Sequence, residues 1–325
     1  MNARSAFVAG ALLVPAAALA ADVDYAKCRD IQDEKARLAC YDAVEQAAAG
    51  PPPSYLERLW KLGPGDSRIR IDDVQPHRQT YILVGKWTNN VNTQPSSPAA
   101  DHTVTTAIPY NNDELAFQLS FKSELVRRHD FDQKFLGLAN MRLWFAYTQR
   151  SFWQVYTPRL SRPFRETDYE PEAILTFATG NQEDGWKLLN LGLVHQSNGG
   201  SLPRSRGWNR VYAQGGWEWD RLSVLGRVWW RIPENPDKDD NPDITDYLGN
   251  GDVVLRWQFD HDKSMSLLVR GSFKTGRGFA QLDWTSRKLF GPARVYIQGT
   301  SGYGESLIDY NFRQNTIGIG FAYGS

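Results

Sequence analysis

The sequence predicts an all-β protein: a transmembrane antiparallel β-barrel of about 12 strands with a small N-terminal helical appendage. Three observations predict it. Long stretches alternate apolar and polar residues with a period of two, and aromatics are abundant, with 12 Trp, 14 Tyr and 15 Phe in a chain of polar mean hydropathy. Beyond Tyr55, no apolar run is long enough for a transmembrane helix. In lipid every backbone N–H and C=O needs a partner, and a closed sheet supplies one without leaving an edge. Strands with one apolar and one polar face suit that arrangement.

Residues 1–20 carry a basic start at Arg4, an apolar stretch, and Ala18-Leu19-Ala20 before Ala21, which is the pattern of a signal peptide cleaved after Ala20. Residues 21–54 form a separate piece. Cys28 and Cys40, the only cysteines, lie in a charged, helix-favouring stretch. In an oxidising periplasm they should form a disulfide closing a short helical hairpin, and no further cysteine or histidine lies nearby to complete a metal site. Gly50-Pro51-Pro52-Pro53 cannot continue a helix and reads as a linker. Residues 55–325 are left for the barrel.

In that region Leu115, Phe117, Leu119 and Phe121 alternate with Ala116, Gln118, Ser120 and Lys122, and Met141, Leu143, Phe145 and Tyr147 with Arg142, Trp144, Ala146 and Thr148. Val253, Leu255, Trp257 and Phe259, and then Ile317, Ile319, Phe321 and Tyr323, repeat the pattern. Gly276-Arg277-Gly278 and Gly291-Pro292 are among the turn signals between runs. A soluble sandwich would use the same alternation. It would not explain Arg142, Arg227, Arg256 and Arg270 opposite the apolar rows, where they suit a polar lumen. Trp153, Trp186, Trp219, Trp229, Trp230 and Trp284 stand at strand ends, ready to form interfacial girdles.

The stretch richest in chemistry is His195-Gln196-Ser197-Asn198-Gly199-Gly200, followed by Ser205-Arg206-Gly207-Trp208-Asn209-Arg210. The preceding alternation puts Leu189, Leu191, Leu193, His195 and Ser197 on one face, and the two runs read as a hairpin with Asn209 near His195. A hydroxyl, an imidazole and an amide are the parts of an activated nucleophile. Taken alone, His-x-Ser is common on strands and Ser-Asn-Gly is an ordinary turn. In a barrel this row faces lipid, whereas a passive pore, the alternative reading, would keep its functional residues inside.

Extended to the whole run, His195-x-Ser197-Asn198-Gly199 with Ser205-Arg206-x-Trp208-Asn209-Arg210-x-Tyr212 resembles the active-site signature of the outer-membrane phospholipase A family. Ser161-x-Pro163-Phe164-Arg165-Glu166-Thr167-x-Tyr169-Glu170-Pro171, then Asp240-Asn241-Pro242-Asp243-Ile244-Thr245, then Ser301-Gly302-Tyr303-Gly304-Glu305-Ser306 match that family in the same order. The resemblance implies calcium-dependent hydrolysis of phospholipid and lysophospholipid acyl esters, of phospholipase A1 and A2 type, at a bacterial outer membrane. It also implies a twelve-stranded barrel; residues 21–54 lie outside the resemblance and are expected to be a periplasmic appendage. Ser197 would be the nucleophile, His195 the base, Asn209 its orienter and the Gly199 N–H an oxyanion donor. Ca2+ would be held by Ser205, the carbonyl of Gly200 and Ser161 of a second protomer in an active homodimer. Tyr147-Thr148-Gln149-Arg150-Ser151 resembles the family's dimerisation strand, with Gln149 between protomers. The chain departs from the family at Gly200, usually a larger residue, and at Leu202, where a second calcium position carries an Asp to pair with the one matching Asp240.

No other enzyme signature is present: there is no Gly-x-Ser-x-Gly elbow, His-Glu-x-x-His or phosphate-binding loop. A formal net charge of zero gives no electrostatic case for a nucleic-acid partner. His77, His102, His129 and His261 read as surface or turn residues, and the Asp237 to Asp246 acidic run as a solvated loop.

Overall fold

Two-residue alternation becomes a sheet that closes on itself. The computed structural model describes residues 26–49, 53–63, 73–128, 138–181, 183–259 and 263–323. The expected signal peptide, residues 50–52 of the linker, His129 and His261 lie outside these. The chain divides into two units, 1–53 and 54–325.

In the first unit, helix α1 (Ala26–Arg29) and helix α2 (Glu34–Ala49) are joined by the Cys28–Cys40 disulfide, with Cα atoms 5.6 Å apart. Asp33 begins α2, its carboxylate accepting from the Ala36 N–H at 2.7 Å.

The second unit opens with a short helix, α3 (Tyr55–Trp60), followed by strands β1 (Val74–Pro76), β2 (Thr80–Thr88), β3 (Asp113–Arg128), β4 (Ala139–Trp153), β5 (Phe164–Ala178), β6 (Gly185–Ser197) and β7 (Gly207–Trp219). Then come β8 (Leu222–Arg231), helix α4 (Thr245–Leu248), β9 (Gly251–Gln258), β10 (Ser264–Gly271), β11 (Gly278–Phe290), β12 (Ala293–Tyr303) and β13 (Arg313–Tyr323). Each strand pairs antiparallel with its successor from β2 on, and β13 returns to β2. β1 pairs with β3 beyond the end of β2, so β1 and β2 make one interrupted stave of a closed membrane-type barrel of twelve.

The apolar rows face outward. Ile317, Ile319, Phe321 and Tyr323 are exposed, as are Val253, Leu255 and Trp257, which fits a wall solvated by lipid. The lumen is filled by charge pairs: Lys86 lies 2.9 Å from Glu114, Arg165 2.6 Å from Asp309, and Arg78 2.6 Å from Glu170. Arg142, Arg227, Arg256 and Arg270 also point inward, and Arg227 pairs with Asp252 at 2.5 Å. Buried charges persist when paired in this way.

Connections at one end are mostly short, such as Asp220-Arg221 and Gly291-Pro292. At the other end most are longer, and they pack together. α3 enters the lumen at the short-turn end. Its capping box places Ser54 Oγ under the Glu57 N–H at 3.4 Å, while the Ser54 N–H donates to Glu57 at 2.8 Å. Leu56 and Trp60 are buried against Trp144, Ile174 and Leu188, each worth about 2 kcal/mol of transfer. Lys122 Nζ lies 3.5 Å from the Trp60 ring centroid, a cation–π contact between wall and helix. What remains is a cavity of about 220 Å³ lined by Tyr55, Arg78, Tyr81, Arg150 and Tyr296 among others.

Two expectations need correction here. Trp229 is buried inside and not in a girdle, because neighbouring strand residues point oppositely and its neighbour Trp230 takes the outer face. His77 is turned into the lumen where the first stave is interrupted, with Nε2 3.0 Å from Glu172 and its ring edge-on to Trp60.

Candidate active site

Strands β6 and β7 form the expected hairpin, and their register sets Asn209 directly opposite His195, and Gly207 opposite Ser197. His195 and Ser197 continue the outward row of Leu191 and Leu193 and lie near the long-loop end of the barrel. His195 Nδ1 is 2.8 Å from Asn209 Oδ1, and Asn209 Nδ2 donates in turn to Glu234 Oε1 at 3.1 Å. Among the described residues, Ser197 Oγ makes no hydrogen bond to the imidazole. The two side chains share a face, as expected for strand positions i and i+2, and a change of rotamer would bring them within hydrogen-bonding reach.

Past Ser197 the chain turns sharply. Gly199 has φ +59°, and Tyr169, which pairs with Ser197 from β5, packs its ring over this turn. Asn198 organises the loop from within: its Oδ1 accepts from the Gly200 N–H at 3.1 Å and the Arg206 N–H at 2.9 Å. Its Nδ2 donates to the Arg204 carbonyl at 2.7 Å and to Glu166 at 3.3 Å. Every polar atom of a buried amide is therefore used. Asn198 was legible only as a turn residue, since its partners come from both ends of the loop.

Ser205 donates to Asp240 Oδ2 at 2.6 Å, Asp240 Oδ1 lies 2.9 Å from His102 Nε2, and Ser97 donates to the Asp240 carbonyl at 2.6 Å. His102 is therefore a buried loop residue and not a surface one. The acidic run is not a free solvated loop either: Asp239 pairs with Arg231 at 2.5 Å, Asp243 accepts from the Tyr310 hydroxyl at 2.5 Å, and Asp246 pairs with Lys274 at 2.9 Å. The reason is that the other long connections close over it. Burial and the bond to Asp243 push the Tyr310 hydroxyl above the ordinary tyrosine range.

Ser161 stands apart, exposed in the β4–β5 connection at the end of a 3₁₀ turn (Pro158–Leu160), with φ 60°. Its side chain makes no hydrogen bond to Gly200 or Ser205 among the described residues. Ser205, the Gly200 carbonyl and Asp240 offer only oxygen donors, one of them a carboxylate, which is the chemistry calcium prefers. Among the described residues no group of three or more His, Cys, Asp or Glu side chains could hold a metal. Any cation here would therefore be held by this one carboxylate together with hydroxyl, carbonyl and water oxygens. Gln149 faces outward on β4, its amide bonded to Ser151 Oγ at 3.3 Å and receiving the Tyr147 hydroxyl at 3.1 Å.

The sequence profile of the phospholipase A1 family matches residues 56–323. A phospholipase A1 of Klebsiella pneumoniae is 38% identical over 252 residues, covering 75% of this chain and 80% of its own. The Escherichia coli outer membrane phospholipase A superposes with a TM-score of 0.68 at 32% identity, over 81% of this chain and 95% of that one. A Salmonella typhi outer membrane phospholipase, solved as a dimer with bound calcium, gives 0.67 at 32% identity, over 78% and 93%. With a matching profile spanning the whole barrel and relatives of this similarity, the chain belongs to the phospholipase A1 family.

Proposed function

We propose that this protein hydrolyses the acyl esters of phospholipids and lysophospholipids, as a phospholipase A1 and A2, at the bacterial outer membrane. The observation that carries the reading is the 2.8 Å contact between His195 and Asn209 on the lipid-facing wall, with Ser197 on the same face. His195 Nε2 takes the Ser197 proton as Oγ attacks the ester carbonyl. The Gly199 N–H donates to the oxyanion that forms. The imidazolium then protonates the departing alcohol oxygen, leaving an acyl-serine, and water activated by the same nitrogen releases the fatty acid. Asn209 holds the imidazole throughout.

Calcium suits the oxygen donors described above, and the residues that would hold it are Ser205, the Gly200 carbonyl and the partner's Ser161. Bound there it would supply positive charge to stabilise negative charge developing on the substrate. The calcium-bound dimer of the Salmonella relative supports this reading, and Gln149 on the outer wall of β4 is the polar group a second protomer would cover. Residues 21–54, once residues 1–20 are removed, belong to the periplasm, a reading supported by the signal-peptide pattern and by the Cys28–Cys40 disulfide, which an oxidising compartment maintains. A passive pore fits poorly, since Leu56 and Trp60 occupy the lumen.

A fluorophosphonate tests the reading: it should label Ser197, and Ser197→Ala and His195→Ala should each lower phospholipid hydrolysis by orders of magnitude in a folded barrel. Wild-type turnover by Ser197→Ala removes the assignment.

A further inference from the structure

The neutral third member of this site leaves a gap in the electrostatics. An aspartate behind a catalytic histidine orients the ring and also stabilises the imidazolium with its charge, whereas an asparagine does only the first. We propose that Glu234 is a positioning residue that fixes the Asn209 amide and supplies, through it, the negative charge the asparagine lacks. The inference rests on the Ser197-His195-Asn209 reading above.

Hydrogen-bond chemistry carries the argument. An ionised carboxylate only accepts, so the Asn209 atom 3.1 Å from Glu234 Oε1 has to be the NH2 group. That settles which way the amide lies, and Oδ1 faces His195 Nδ1 at 2.8 Å. A carbonyl oxygen in that place requires the ring proton on Nδ1, which leaves the Nε2 lone pair free for the serine proton. Without an acceptor at Glu234 the amide could flip, present NH2 to the imidazole, and select the tautomer that carries its proton on the catalytic nitrogen. As Nε2 becomes charged, the chain from carboxylate to amide to imidazolium polarises in one direction.

The local fold delivers Glu234 to this place. The Ile232 N–H donates to the Asn209 carbonyl at 2.8 Å, continuing the β7–β8 ladder past Arg231, and Pro233 restricts the backbone on the way to Glu234. Glu234 is also not committed to another cation. Arg231, three residues earlier, pairs with Asp239 at 2.5 Å and donates to the Asn241 and Pro242 carbonyls, and among the described residues Glu234 forms no salt bridge. It is half-buried in the connection after β8, outside the barrel wall, so replacing it leaves the strands untouched.

Glu234→Gln keeps an acceptor and removes the charge, while Glu234→Ala removes both. In the full-length protein, purified in detergent with calcium, we expect kcat to fall about fivefold to tenfold in Glu234→Gln and further in Glu234→Ala. KM should stay within about twofold, because the missing interaction is strongest in the transition state. The rate of Ser197 phosphonylation by a fluorophosphonate should fall in parallel, because that reaction also passes the serine proton to His195. Wild-type kcat in Glu234→Gln overturns the proposal, as does a loss confined to KM or one that leaves phosphonylation at the wild-type rate. Absence of Ser197 labelling in the wild type would instead overturn the catalytic reading beneath it.

Discussion

The ring of Tyr169 closes against Gly199 so tightly that a Cβ on the glycine would stand 3.3 Å from Tyr169 Cε2. The glycine also sits at φ +59°, a conformation side chains resist. Gly199→Ala should therefore shift the turn that follows Ser197 and move the N–H proposed to meet the oxyanion. We expect kcat to drop at least about tenfold, with Ser197 still labelled by a fluorophosphonate. Unchanged kcat would show that this N–H has no part in the reaction.

Gln149 should matter to assembly and not to chemistry. Among the described residues its amide bonds only Ser151 and Tyr147 on the outer wall, and burial against a second protomer would give it more partners. Gln149→Ala should weaken self-association, seen by sedimentation in detergent with calcium and an acylating serine inhibitor, and raise the calcium concentration needed for activity. Chelation should abolish wild-type activity reversibly without unfolding. A Gln149→Ala dimer as tight as wild type, or full activity in excess chelator, contradicts this picture.

Trp60 fills the lumen under Lys122 and Trp144, so Trp60→Ala leaves a cavity and removes a cation–π contact. We expect a stability loss of about 3 kcal/mol, measured as a lower unfolding midpoint in denaturant. Ser197 labelling should be retained, because the site lies on the opposite face of the wall near the other end. An unaltered midpoint would mean that α3 does not pack there in solution.

The barrel was legible because lipid enforces a strict rule. Once Met141, Leu143, Phe145 and Tyr147 are read as one face, Arg142 and Trp144 must point inward, and they do. The hairpin is equally local: two alternating runs and one loop bring Asn209 opposite His195. What escaped was set by partners far along the chain. α3 has six residues, and the sign of it, Ser54 and Glu57 at capping-box spacing, stands beside a proline run that suggests a linker. Glu234 lies in an aperiodic connection, and only the packing of that connection on β7 reveals its role. His102 and Asp240 meet across 138 residues of sequence, so neither the buried histidine nor the packed acidic loop could be read from composition.

The outward direction of His195 and Ser197 also determines how encounters with substrate should be counted. A cleft open to water samples molecules in three dimensions, and its occupancy follows bulk molarity. A nucleophile on the lipid-facing wall meets molecules that diffuse in the plane of a leaflet, so its occupancy follows surface mole fraction. Adding more vesicles of the same composition would leave the rate per embedded enzyme unchanged, whereas diluting the phospholipid within each leaflet with an inert amphiphile would slow it. Lateral crowding and leaflet composition thus become the natural variables of its kinetics.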